Sequence, residues 1–183
     1  MSTILGVNAA IFNEHGQILL TLREDFEVWC MPGGGVDDGE SPCVAVAREA
    51  EEETGLKVRP ARFVGLYTRP SWMHLTPHIA VFVCKVVGGA LKPDPHEVLT
   101  IGYFDPFNLP NSMMLGQVNK IQDAVRGLCG TVVTEQVDFP LPQVRNRAEL
   151  YAARDASGLS RRDFYMRTFP PLQPGQIIRH LNG

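Results

Sequence analysis

Two rhythms of apolar and polar positions alternate along the first 130 residues. Residues 4–12 are almost continuously apolar, Asn13-Glu14-His15-Gly16 interrupts them, and 17–22 form a second extended run. Two such runs joined by a short turn predict a β-hairpin. Residues 23–28 are polar and predict a loop, which leads through Trp29-Cys30-Met31 into Pro32-Gly33-Gly34-Gly35, where no regular element persists. The rhythm then becomes helical. Cys43, Val46, Ala47 and Ala50 recur at i, i+3, i+4 and i+7 and predict a helix over 41–54 packed closely on a sheet. Ser41 serves as N-cap, Pro42 suits the first helical position and Gly55 stops the helix. Residues 56–68, 79–87 and 97–104 read as strands and 117–128 as a second helix. This order predicts an α/β fold with a mixed sheet between helices. After Gly130 the pattern changes: Phe139-Pro140-Leu141-Pro142 is linker-like, 144–156 and 161–167 read as helices, and Pro170-Pro171 ends them. The expected organisation is a domain over 1–130 and a C-terminal helical extension over 131–183 with a packing or dimerisation role.

Composition narrows the function. A chain of 183 residues, 44% hydrophobic, is long enough for one full core. Its net charge of -3 argues against stable binding to nucleic-acid backbones, but not against a small phosphorylated substrate. Cys30, Cys43, Cys84 and Cys129 are scattered, with no C-x-x-C pair. They predict reduced, buried side chains in a cytoplasmic protein, not a zinc site. The N-terminus lacks a basic n-region with a cleavage site, and no apolar run reaches the roughly 18 residues of a membrane span.

The chemistry concentrates in GGVDDGESPCVAVAREAEEETGL, residues 34–56. At about 100° per residue, Glu49, Glu52 and Glu53 share one helical face, Glu51 points elsewhere, and Arg48 can pair with Glu52 at i+4. Like charges on one face cost roughly 0.2–0.5 kcal/mol per contact, and the helix C-terminal dipole adds to that cost. Held carboxylates of this kind suit a hard cation such as Mg2+, with Mn2+ as substitute. Taken alone, a glutamate run is also what a solvated helix face looks like.

The whole segment resembles the Nudix box, G-x5-E-x7-R-E-U-x-E-E-x-G-U. Gly34, Glu40, Arg48, Glu49, Glu52, Glu53, Gly55 and Leu56 fill its fixed positions, and Ala50 departs from the first bulky aliphatic. That resemblance implies a Nudix-type α/β/α sandwich and hydrolysis of a phosphorus–oxygen–phosphorus link. It implies Glu52 and Glu53 as main metal ligands joined by Glu49, with a backbone carbonyl near Gly34, Arg48 orienting the glutamates and Glu40 bracing the loop. A base in a loop well after the box is also implied. Glu97 is the candidate, with Asp94 and His96 as weaker rivals.

For the substrate, the resemblance implies a nucleoside diphosphate linked to a second group, such as ADP-ribose or a nucleotide sugar. Pro70 lies fourteen residues after Leu56, near where ADP-ribose hydrolases carry a proline. Arg23, Tyr67, Arg69 and Trp72 are the substrate-binding candidates, because arginine holds phosphate and aromatics stack on bases. Two rivals remain open: a nucleoside triphosphate pyrophosphatase, and a non-catalytic nucleotide sensor. The intact set of box glutamates speaks against the sensor. The resemblance also suggests a homodimer.

Overall fold

The computed structural model describes residues 2–70 and 72–181. In chain order the elements are β1 (Ser2–Ile11), β2 (Ile18–Arg23), β3 (Trp29–Cys30), α1 (Pro42–Thr54), β4 (Leu56–Thr68), β5 (Leu75–Gly89) and β6 (Val98–Phe104). They are followed by α2 (Gln117–Val125), β7 (Thr131–Glu135), α3 (Arg147–Ala156), α4 (Arg161–Thr168), a 3-10 turn at Pro174–Gln176, and β8 (Ile177–Leu181). A mixed five-stranded sheet runs in the order β1-β5-β4-β7-β8, and an antiparallel three-stranded sheet in the order β3-β2-β6.

The expected β1–β2 hairpin does not form. Beyond a single bridge between Phe12 and Ile18, β1 pairs in parallel with β5, and β2 pairs with β3 and β6. The reason is in the burial. Ala9 and Ile11 face one apolar cluster and Ala10 faces another, as Leu19 does against Ile18 and Leu20. A strand apolar on both faces needs cover on both, which a two-stranded ribbon cannot supply.

Helix α1 covers one face of the assembly through Ala45, Val46 and Ala50, against Val7, Ala9, Val58, Ala80 and Phe82. Helix α2 covers the other through Ile121 and Ala124, against Val64, Val81 and Val133. The layers are therefore helix, sheets, helix. Cys43 is exposed, so the stripe on α1 is carried by Ala45 in its place, and Cys129 is exposed too; only Cys30 and Cys84 are buried as expected. Cys43 sits in the first turn of α1, and Cys129 lies between α2 and β7.

The region after Gly130 contributes two strands as well as two helices. β7 pairs in parallel with β4, and β8 runs antiparallel to β7 at the sheet edge. Gly65 permits that pairing, since a Cβ there would lie 2.4 Å from the Thr131 carbonyl oxygen. Helices α3 and α4 build a third apolar cluster, in which Leu150, Phe164, Tyr165 and Phe169 pack on Phe26 and Val28 of the β2–β3 connection. Among the described residues no helix is long and apolar enough to cross a membrane.

Candidate active site

The site begins with an edge strand that needs covering. β1 has β5 on one side only, and the glycine loop lies along its other edge. Val7 N–H donates to the Gly34 carbonyl at 2.9 Å and Ala9 N–H to the Pro32 carbonyl at 2.8 Å. Side chains are excluded from this close approach. A Cβ on Gly33, whose φ is +153°, would sit 2.0 Å from the Val7 carbonyl oxygen; one on Gly34 would sit 2.5 Å from the Glu49 carboxylate. The box glycines thus let backbone and carboxylate share one space.

Helix α1 aims the acidic side chains at that loop. Ser41 Oγ accepts from Val44 N–H at 3.3 Å, and Gly55, at φ 75°, closes the helix through its N–H to the Glu51 carbonyl. Ala50, the departure from the box pattern, is fully buried in the helix–sheet core. Arg48 braces the cluster. Its Nε and Nη2 bond Glu40 at 3.0 and 2.9 Å, its Nη1 bonds Glu49 and Glu52 at 2.9 and 3.0 Å, and Nη2 also reaches the Gly35 carbonyl. One guanidinium therefore ties loop to helix, and its hydrogen bonds hold the Glu40 carboxyl below the usual carboxylate range.

Glu53, 4% exposed, accepts from Gly33 N–H at 3.2 Å. Burial pushes its carboxyl up to about 7 against that bond, and the charges of Glu49 and Glu97 push the same way. Burial likewise raises Glu49. Glu52 differs: its side chain is 57% exposed and rests on Arg48.

Glu97 reaches this place through the second sheet. β2 pairs antiparallel with β6 up to Arg23 opposite Val98, and Glu24 N–H donates to the Glu97 carbonyl at 2.9 Å. One pocket of about 370 Å³ is consequently lined by Gly33, Gly34, Gly35, Glu49, Glu53, His96 and Glu97, together with Arg23, Glu24, Asp25, Arg147 and Tyr151. Glu52 and Asp94 are not among the lining residues.

Of the four substrate-binding candidates, only Arg23 lies here, and both Asp25 oxygens already engage it at 2.9 and 2.7 Å. The other three do not line this pocket. Tyr67 is 1% exposed, with its hydroxyl on Asp123 at 2.8 Å. Arg69 pairs with Glu135 at 2.5 Å and lies over the Trp72 ring. Trp72 packs on Phe139 and Phe169 in the third apolar cluster. Tyr67 and Arg69 serve the core because β7, which supplies Glu135, lies against the end of β4. Arg147 and Tyr151, which the sequence did not single out, line the pocket from α3. Their helical pattern is visible in the chain, but their docking more than 120 positions from Asp25 has no local signal.

The donors that α1 and the glycine loop present suit a hard cation: the buried Glu53 carboxylate, the half-buried Glu49 carboxylate and backbone carbonyls, all oxygen. Among the described residues, however, no three acidic, His or Cys side chains converge tightly enough to form a ligand set, since Arg48 draws Glu49 and Glu52 to itself. The acidic excess around Glu53 is what a bound cation would neutralise.

Comparison with known proteins agrees with the fold. Residues 3–122 match the family model described as the NUDIX domain. A Bacillus subtilis (strain 168) protein provisionally named 8-oxo-dGTP diphosphatase is 34% identical over 129 residues, 70% of this chain and 85% of its own. A MutT Nudix hydrolase from Burkholderia pseudomallei superposes with a TM-score of 0.62 at 25% identity, covering 67% of this chain and 98% of that one. An ADP-ribose pyrophosphatase from Streptococcus suis 89-1591 superposes at 0.54 with 28% identity, covering 70% and 96%. With its box and its layered fold in agreement with that match, the chain belongs to the Nudix family of pyrophosphohydrolases.

Proposed function

We propose that this protein is a Mg2+-dependent pyrophosphohydrolase that cleaves the P–O–P link of a nucleoside diphosphate joined to a second group, such as ADP-ribose or a nucleotide sugar. The observation that carries the reading is the joint lining of one pocket by Glu49, Glu53, Glu97 and the glycine loop. Mg2+, when bound, neutralises phosphate charge and acidifies water; Glu49, Glu53 and the Gly34 carbonyl would hold it, with exposed Glu52 as a further oxygen donor. Arg48 orients Glu49 and Glu52. Glu97 takes the proton of the attacking water. The water oxygen forms a new bond to phosphorus, the bridging P–O bond breaks, and two phosphate monoesters leave. A small nucleotide substrate and a cytoplasmic location accord with this reading, as does a homodimer.

A nucleoside triphosphate is the second reading, favoured by the similarity to the Bacillus subtilis protein. A panel of ADP-ribose, UDP-glucose, dGTP and 8-oxo-dGTP with Mg2+ or Mn2+ separates the two. Glu53→Gln should keep the fold, weaken calorimetric Mn2+ binding and lower turnover by at least about a hundredfold, the scale on which a lost charge stabiliser acts. Turnover equal to the parent's would refute the assignment.

A further inference from the structure

We propose that helix α3, beyond the family-model match, supplies the phosphate-binding subsite of this pocket, with Arg147 as the residue that grips the substrate anion. This rests on the pyrophosphohydrolase reading above. The pocket lining carries five carboxylates, Glu24, Asp25, Glu49, Glu53 and Glu97, against two arginines, Arg23 and Arg147. A polyphosphate entering it needs cationic donors beside any metal. Arg23 is committed, because its Nε and Nη2 both bond Asp25 and its side chain is only 21% exposed. Arg147 is not. Its side chain is 64% exposed, and Nη2 alone engages Asp25, at 3.0 Å. Beyond its contacts with Asp25 and Tyr151, the guanidinium keeps N–H groups to offer a phosphate the planar donors it fits.

The arginine is also held in position. Its guanidinium lies 5.6 Å from the Tyr151 ring, whose hydroxyl bonds the same Asp25 oxygen at 3.0 Å. On the same helix, Arg154 donates to the Asp25 backbone carbonyl and stacks on Tyr151 at 4.8 Å. Tyr151 and Asp25 are therefore positioning residues, and Arg147 is the binding group. The extension acts as a substrate-recognition element delivered to the pocket through the Phe26 cluster.

The test uses the full chain and whichever of ADP-ribose, UDP-glucose, dGTP and 8-oxo-dGTP it turns over. Arg147→Ala should raise KM about tenfold or more with a smaller fall in kcat, and Arg147→Lys should restore part of the affinity. Tyr151→Phe should raise KM less than Arg147→Ala does. Calorimetric titration of inorganic pyrophosphate with Mg2+ should show the same ranking independently of turnover. Because Arg147 is largely exposed and gives Asp25 only one of several hydrogen bonds, its variants should melt no more than a few degrees below the parent. Parental KM and pyrophosphate affinity in Arg147→Ala, with Glu53→Gln still inactive, would overturn the subsite and leave the pyrophosphohydrolase reading intact. Turnover that survives Glu53→Gln would overturn that reading, and the subsite with it.

Discussion

At the scale of single residues, the site depends on positions where a side chain is missing as much as on those where one is present. Gly33 and Gly34 are neighbours, yet a methyl group on each meets a different obstacle. At Gly33 it meets the fixed Val7 carbonyl at a φ that only glycine adopts freely; at Gly34 it meets the movable end of Glu49. Gly33→Ala should therefore lower the melting temperature by several degrees, on the order of 1–3 kcal/mol for backbone strain. Gly34→Ala should melt near the parent but lose at least about tenfold in kcat, because Glu49 must leave its place beside the loop. Calorimetry paired with kinetics checks both. Equal stability loss in the two variants would show that the carboxylate is not what Gly34 makes room for. The acidic cluster was legible in the sequence because helical spacing alone puts Glu49, Glu52 and Glu53 on one face. What spacing could not show is that Arg48 draws Glu52 outward while Glu53 is buried against the Gly33 N–H.

At the scale of elements, legibility followed how local the cause was. β4 begins and ends where its apolar pattern does, and α1 runs from its proline to its glycine stop, because caps and strand formers act within a few residues. β7 and β8 were missed: five residues each, before the linker-like stretch and after the last helix of what reads as a helical extension. They exist as strands because β4 offers an edge. That dependence makes Gly65 critical. A Cβ there would press on Thr131 at 2.3 Å from Cγ2 and 2.4 Å from the carbonyl oxygen, prising β7 from β4 where their pairing begins. β8 would follow, since it bonds only β7 in the sheet and is otherwise tied by Arg179 to Asp123 at 2.7 and 2.8 Å. Gly65→Ala is expected to cost about 2–4 kcal/mol, the range for overpacking and a broken buried network. Urea unfolding monitored by far-UV circular dichroism measures it; a midpoint within error of the parent's would mean that β7 tolerates the added methyl group.

At the scale of the molecule, the C-terminal helices and the family domain are joined through Asp25, and that joint should respond to acid. Burial acts to raise the Asp25 carboxyl, but the hydrogen bonds from Arg23, with those from Arg147 and Tyr151, outweigh it and hold the group at about 2, below its ordinary 3.8. A carboxyl depressed in the folded state contributes stability that is fully present above the ordinary value and is lost as pH falls through the folded one. The window is therefore pH 4 down to pH 2, and the contribution is at most about 2.5 kcal/mol. Protonation removes an anion that three donors share, so docking of α3 should weaken before the sheets do. Trp72 reports on it, because it packs with Phe139 and Phe169 in the cluster the extension builds, whereas Trp29 packs on Phe104 in another. In a Trp29→Phe background, Trp72 emission should shift to the red between pH 4 and pH 2, ahead of the loss of far-UV signal. Adding Asp25→Asn should remove most of that pH dependence, leaving the shift present or absent at every pH in the window. If the two proteins instead titrate in parallel, the acid sensitivity belongs to other carboxylates and Asp25 is not the joint.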